Sequence, residues 1–155
     1  ISFYSTASVE NIEAHNKKAT AVVDTKTGAM EFAVLMKAFE FEKALMEEHF
    51  NENYVESDKF PKATFKGKID NLSSVNFSKD GTYAVTVSGD LTIHGVTKAT
   101  TATGNFVVSG GKITGKSEFN ILLADYKIAI PAIVKDNISE KVLIVVDLGL
   151  EPLIQ

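Results

Sequence analysis

Between Tyr83 and Lys98 apolar and polar positions alternate without a break. Tyr83, Val85, Val87, Leu91 and Ile93 share one parity, with Gly89 and Gly95 in step. Ala84, Thr86, Ser88, Asp90, Thr92 and His94 share the other. A period of two over this length predicts one long antiparallel strand, with one face on a core and the other in water. Glycines on the apolar parity predict a strand that bends, as the stave of a closing barrel must.

The same period recurs along the rest of the chain. Ile1 to Ser8 reads as a short strand, and Lys18 to Asp24 as another that ends in a turn at Lys26-Thr27-Gly28. Between them, Val9 to Asn16 follows Ser8, a residue suited to a helix N-cap, and reads as one or two helical turns. Ala29 to Lys37 is a strand with Met30, Phe32, Val34 and Met36 on one face; Ala33 and Leu35 make the other face apolar too. Phe39 and Phe41 extend it. The period then changes: Lys43 to Phe50 fits a helix of about two turns that presents Leu45, Met46, His49 and Phe50 on one side.

An acidic loop over 51–59 leads to a strand from Phe60, with Ala63, Phe65, Gly67 and Ile69 inward, which Leu72 to Ser78 continues to a hairpin turn at Asp80-Gly81. Gly95 bends the chain into Thr97 to Ser109, where Ala102, Gly104, Phe106 and Val108 hold the apolar parity. Gly110-Gly111 turns it again, and Ile113, Gly115, Phe119, Ile121 and Leu123 face inward on the next strand. Ile128 and Ile130 belong to a short segment stopped by Pro131; Ile133 to Glu140 connects, and Val142 to Leu150 closes the pattern. The reading is all-β: about eight antiparallel strands, mostly joined by short turns, with one short helix inserted around residues 43–50. That count matches a closed up-and-down barrel with room for side chains or one small ligand. A sandwich is the rival, and long hairpin-linked strands favour the barrel.

Composition changes this picture little. A chain of 155 residues is one domain's length, 1–155, and can bury a sizeable core. The formal charge of -4 argues against broad nucleic-acid binding. With no cysteine, disulfides and thiolate metal sites are excluded. No apolar run approaches the roughly 18 residues of a spanning helix, so no stable membrane insertion is expected. The chain opens at Ile1, without a Met, in strand-like sequence and reads as a trimmed product from which any leader is missing.

Catalytic chemistry is hard to place. His15, His49 and His94 show no metal-ligand spacing, and neither metal nor cofactor is expected. His94, beside Gly95, reads as a turn-stabilising residue with Asp90 as the natural polar partner. Glu47 and Glu48 are adjacent on a helix and point about 100° apart, which suits a solvated face better than an acid/base pair. No phosphate-cradling Gly-rich loop and no Gly-x-Ser-x-Gly elbow is present. An enzyme on a hydrophobic substrate would need a titratable group facing inward, and the inward parity carries Tyr83 at most. The chain is therefore not expected to be an enzyme.

The inward set consists of Phe32, Val34, Met36, Phe39, Phe41, Leu45, Met46, Phe50, Phe65, Leu91, Ile93, Phe106, Phe119 and Ile121. These residues line a lipid tunnel, or they fill a dry core and leave a structural module whose surface does the binding. Both demand the same parity. Inner Gly67, Gly89, Gly104 and Gly115 supply no side chain to fill a lumen, and Met30, Met36 and Met46 offer a surface that adapts to a chain-like ligand. Lys37 and Lys43 are the nearest basic groups for a polar head at the mouth.

Two motifs add a resemblance. Phe60-Pro-Lys-Ala-Thr-Phe-Lys-Gly67 followed by Gly89-Asp-Leu-Thr-Ile-His-Gly-Val-Thr-Lys98 resembles the paired signature of the YceI-like family. His49-Phe50-Asn51 before Tyr54, and Tyr126-Lys-Ile-Ala-Ile-Pro131, are similar to its flanking parts, so the likeness spans roughly residues 30 to 150. The opening of the longer members, a Phe-rich strand leading to a His and later an Arg-Gly, is not visible. The resemblance implies a lipocalin-like barrel, periplasmic or secreted, that carries or sequesters a polyisoprenoid, isoprenoid quinone or fatty-acid-like lipid in its lumen. Its partner is then a long-chain lipid rather than a nucleic acid, and a homodimer is compatible with it.

Overall fold

The computed structural model describes residues 1–7, 10–131 and 138–151. Ten strands follow one another: β1 (Ser2–Thr6), β2 (Asn11–Asn16), β3 (Thr20–Val23), β4 (Ala29–Leu35), β5 (Phe39–Phe41), β6 (Lys62–Ile69), β7 (Gly81–Ile93), β8 (Val96–Ser109), β9 (Lys112–Leu122) and β10 (Lys141–Leu150). One helix, α1 (Ala44–His49), runs into a wider π-type turn at Phe50–Tyr54.

All ladders are antiparallel, and the row reads β3-β4-β6-β7-β8-β9-β10-β1-β2-β5. Its two ends belong together, because β3 continues β2 and β5 continues β4. Residues 11–23 and 29–41 form one long hairpin, interrupted between the pairs Asn16↔Phe39 and Thr20↔Ala33. Asn16, buried at 4 % exposure, spans the interruption by donating from Nδ2 to the Leu35 carbonyl at 2.9 Å. Joined this way, the ten hydrogen-bonded segments make eight staves in up-and-down order, the count expected from the sequence. Chain direction then sorts the connections. Those at 24–28, 70–80 and 110–111 lie at one end; 42–61, 94–95 and, of the last connection, 123–131 and 138–140 lie at the other.

Three local expectations are corrected. The predicted helix over 9–16 is strand β2: Ile12, Ala14 and Asn16 are buried on one parity and the strand pairs with β1 and β5. Six residues of weak helix tendency yield to a pairing partner on each side; Ser8 and Val9 lie outside the described residues. The long strand over 83–98 ends at Ile93, where His94 (φ 54°) and Gly95 (φ 72°) make a two-residue turn with both residues in the left-handed region. Asp80-Gly81 is not a tight turn. The β6–β7 connection is the long loop 70–80, and Leu72, Val75 and Phe77 fold over the barrel end onto Met30, Ile69, Val85 and Phe106. Of the connection expected over 133–140, residues 132–137 lie outside the described part.

At the opposite end a second apolar cluster gathers Val34, Met36, Phe39, Phe50, Val55, Leu91, Ile93, Tyr126 and Ile128. Phe3, Phe39, Phe41 and Phe50 meet there ring to ring, with centroids 5.0–5.7 Å apart. Each such pair is worth about 1 kcal/mol beyond its buried area.

Candidate functional site

Alternation places one parity of every long strand inside the barrel, and the two clusters do not fill it. Between and alongside them runs a cavity of about 220 Å³ lined almost wholly by carbon. Packed interiors hold few voids larger than a water molecule, whereas apolar cavities of about 150 Å³ stay dry and admit small apolar molecules. At about 220 Å³ this lumen exceeds both.

Of the residues expected inside, Phe32, Val34, Met36, Phe39, Met46, Phe50, Phe65, Leu91, Ile93, Phe106, Phe119 and Ile121 line the cavity. Phe41 stands behind it, half-buried against Phe3 and Phe50. Leu45 does not belong to the set: it is 64 % exposed. Met46 of α1 and Phe50, which opens the π-type turn after it, face inward, and Leu45 sits about 100° round from Met46. His49 is exposed as well and bonds the Asn53 side chain at 2.9 Å. All three methionines of the chain, Met30, Met36 and Met46, are cavity residues.

The first quarter of the chain also contributes Phe3, Ser5 and Ile12, and the closing strand Val142, Ile144, Val146 and Leu148. Ile12 was missed because 9–16 read as helix; the Phe3-Tyr4-Ser5 alternation was the available signal. Ser5, Thr64, Thr100, Ser117 and Tyr54 also border the lumen. Ser117 donates to the Thr103 carbonyl at 2.8 Å and Thr100 to the Lys98 carbonyl at 3.2 Å.

The inner glycines do something other than leave space. A Cβ on Gly104 would lie 2.4 Å from the Lys116 carbonyl oxygen, and one on Gly67 would lie 2.7 Å from the Phe65 ring. At Gly115 the Phe106 ring edge already occupies the position at 3.1 Å. Glycine lets strands close up and lets two phenylalanines lie along the wall instead of across the lumen.

Titratable chemistry is nearly absent inside. Among the described lining residues Tyr54 and Lys116 carry ionisable side chains; Lys116 is exposed, and burial pushes the Tyr54 phenol above its ordinary value. No cluster of three metal-ligating side chains occurs among the described residues.

Charge gathers at the rim in pairs. Lys37 is bonded to Asp58, whose carboxyl it holds below the usual range. Lys43 donates to Glu10 at 2.9 Å, which raises the Lys43 ammonium. Both lysines expected at the mouth are thus engaged with carboxylates.

His94 is a junction rather than a ligand. Its Nδ1 lies 3.0 Å from the Tyr126 carbonyl oxygen and its Nε2 2.8 Å from the Glu56 carboxylate, both within hydrogen-bond distance, while Phe60 packs edge-on at 5.0 Å. The partner is Glu56, not Asp90. Hydrogen bonds from His94 and then Lys59 hold Glu56 below the ordinary carboxylate value.

Comparison with known proteins matches the model of the YceI-like domain to residues 1–150, so the likeness includes the front of the chain. Among solved structures, BcnA of Burkholderia cenocepacia superposes with a TM-score of 0.80 at 18% identity, over 97% of this chain and 94% of that one. A polyisoprenoid binding domain from Saccharophagus degradans, described as implicated in plant cell wall breakdown, gives 0.81 at 17% identity, over 97% and 92%. The YCEI protein of Campylobacter jejuni gives 0.66 at 18%, over 93% and 88%. At these identities the superpositions establish the shared fold. A search of curated proteins returns no match.

Proposed function

The chain belongs to the YceI-like family, and from that membership and its lumen we propose that it carries or sequesters an elongated hydrophobic or amphiphilic lipid and does not transform it. The observation that carries the reading is the carbon-lined cavity of about 220 Å³ inside a barrel of this family. A polyisoprenoid, an isoprenoid quinone and a fatty-acid-like chain all suit such a wall. The description of the Saccharophagus degradans neighbour as polyisoprenoid binding favours the first two. The non-catalytic part of the proposal rests on the lining: among the described residues that border the cavity there is no carboxylate or imidazole to form an acid/base pair with the Tyr54 phenol.

Transfer of roughly ten methylenes from water gains about 8 kcal/mol, and association costs about 4 kcal/mol or more. Retention therefore depends on chain length. Titration with prenyl alcohols of two, three and four isoprene units tests this. Affinity rises at least about tenfold per unit until the lumen is full; affinity independent of length contradicts the proposal. Residence in the periplasm or outside the cell belongs to the same proposal, on the family resemblance, and cell fractionation checks it.

A further inference from the structure

In the upper half of the barrel, the end that carries 94–95, the wall lacks a ladder along one line. β8 and β9 pair only from Gly104↔Ser117 down to Ser109↔Lys112. Above that point β8 continues to Val96 and stays paired with β7, while β9 continues to Leu122 and stays paired with β10. The upper halves of β8 and β9 therefore diverge, and residues 96–103 face 118–122 with no ladder between them. The other gap lies in the lower half, where β10 beyond Val145 has no ladder on its β1 side and β3 pairs with β4 alone.

A short segment lies over this seam. The chain leaves β9 in a tight turn at Leu123–Tyr126, closed by the Ile128 amide donating to the Leu123 carbonyl at 3.0 Å. Tyr126 and Ile128 are 3 % and 5 % exposed, so the seam is plugged rather than open. Thr100 on one margin, Phe119 on the other, and Leu123 and Ile128 of the plug all line the cavity. The plug is tied to the β8 side by two polar contacts, the Tyr126 phenol with the Thr100 side chain and His94 with the Tyr126 carbonyl. Glu56 fixes the far nitrogen of the same imidazole at 2.8 Å.

We infer that the β8–β9 seam is the portal through which the lipid enters and leaves, that the 123–128 segment is its gate, and that His94 is the positioning residue that holds the gate shut. This rests on the carrier reading above. Lifting 123–128 exposes the lumen sideways along the upper barrel and breaks one backbone bond beyond the last β9–β10 pair, Leu123 N–H to the Glu140 carbonyl at 2.9 Å. An end-on route must instead displace the Phe3, Phe39, Phe41 and Phe50 cluster beneath α1.

The absence of native cysteine makes the test direct. Thr101→Cys with Asn120→Cys places two exposed thiols where the next ladder pairs would stand, and a short bis-maleimide joins them across the seam. Glu10→Cys with Lys43→Cys, joined in the same way, pins the start of α1 instead. Stopped-flow uptake of a dansyl-labelled geranylgeraniol is the readout. His94→Gly removes the imidazole but keeps a residue at ease with positive φ, as Gly110-Gly111 shows in the next hairpin. It should speed uptake and release together by about tenfold with Kd unchanged, and His94→Asn, which keeps a donor near the Nδ1 position, should restore slow rates. The seam tie should slow uptake more than tenfold while the α1 tie leaves it as in the parent. Parental rates in the seam-tied protein, or a block by the α1 tie alone, overturn the portal and leave the carrier standing. The protein is stripped of bound lipid before each measurement, and a stripped parent that takes up no probe overturns both.

Discussion

Gly67 and Gly89 face each other across the β6–β7 ladder so closely that neither can carry a side chain. A Cβ on Gly67 would lie 2.3 Å from the Ser88 carbonyl oxygen, and one on Gly89 the same distance from that of Lys66. Both neighbours are backbone, so relief requires moving a strand. Gly89→Ala should cost about 3 kcal/mol. Gly149→Ala, with nothing within 4 Å, should be neutral or stabilise by about 0.5 kcal/mol. Urea midpoints of the two variants check the contrast; equal midpoints contradict the close approach.

Leu91 and Thr92 test the inward face. Leu91 is buried and borders the cavity, whereas Thr92 looks outward and shares a 2.7 Å hydrogen bond with Thr97. Leu91→Glu should cost about 3 kcal/mol or more by placing an unpaired carboxylate among apolar side chains. Thr92→Glu should stay within about 1 kcal/mol. Thermal unfolding at neutral pH is the check, and similar melting temperatures would contradict the register.

Acid stability reports on the His94 junction. Glu56 has its folded pKa below the ordinary 4.5, held there first by His94 and then by Lys59. The unfolded chain therefore takes up this proton first as pH falls. The stabilisation is complete above 4.5 and disappears as pH drops through the folded value. Denaturant midpoints should fall more steeply below pH 4.5 in the parent than in Glu56→Gln. Parallel curves would show that the junction contributes nothing.

Alkaline titration followed by phenolate absorbance should find Tyr54 and Tyr126 ionising above the ordinary 10.0, because burial disfavours both phenolates. Tyr54→Phe and Tyr126→Phe should each remove one late-titrating group. Loss of an ordinary group instead would contradict the burial.

Much of the barrel was legible because a two-residue period is written into each long strand. Val85 to Ile93 and Val142 to Leu148 point inward as their parity requires. Short elements were less legible. In Asn11–Asn16 the alternation spans only Ile12, Ala14 and Asn16, too little to outweigh a preceding Ser, and its strand state is decided by β1 and β5 on either side. Leu72, Val75 and Phe77 look like a continuing strand because a loop that covers a barrel end must also be apolar. Leu45 looks like its neighbour Met46, and a six-residue helix can turn only one of them inward. Asn16 bridging the long hairpin and Glu56 meeting His94 join positions 19 and 38 residues apart, which no local pattern encodes.

The central claim is that the lumen holds a lipid, and the most direct measurement is organic extraction and mass spectrometry of the protein as purified from a heterologous host. A ligand with many buried methylenes leaves slowly, so the parent should carry a host isoprenoid, quinone or fatty-acid-like species in near-stoichiometric amount. Phe65→Trp and Ile121→Trp, which put an indole into the cavity, should lack it. A parent that yields no lipid and also fails to take up added prenyl alcohol, quinone or fatty acid would contradict the account.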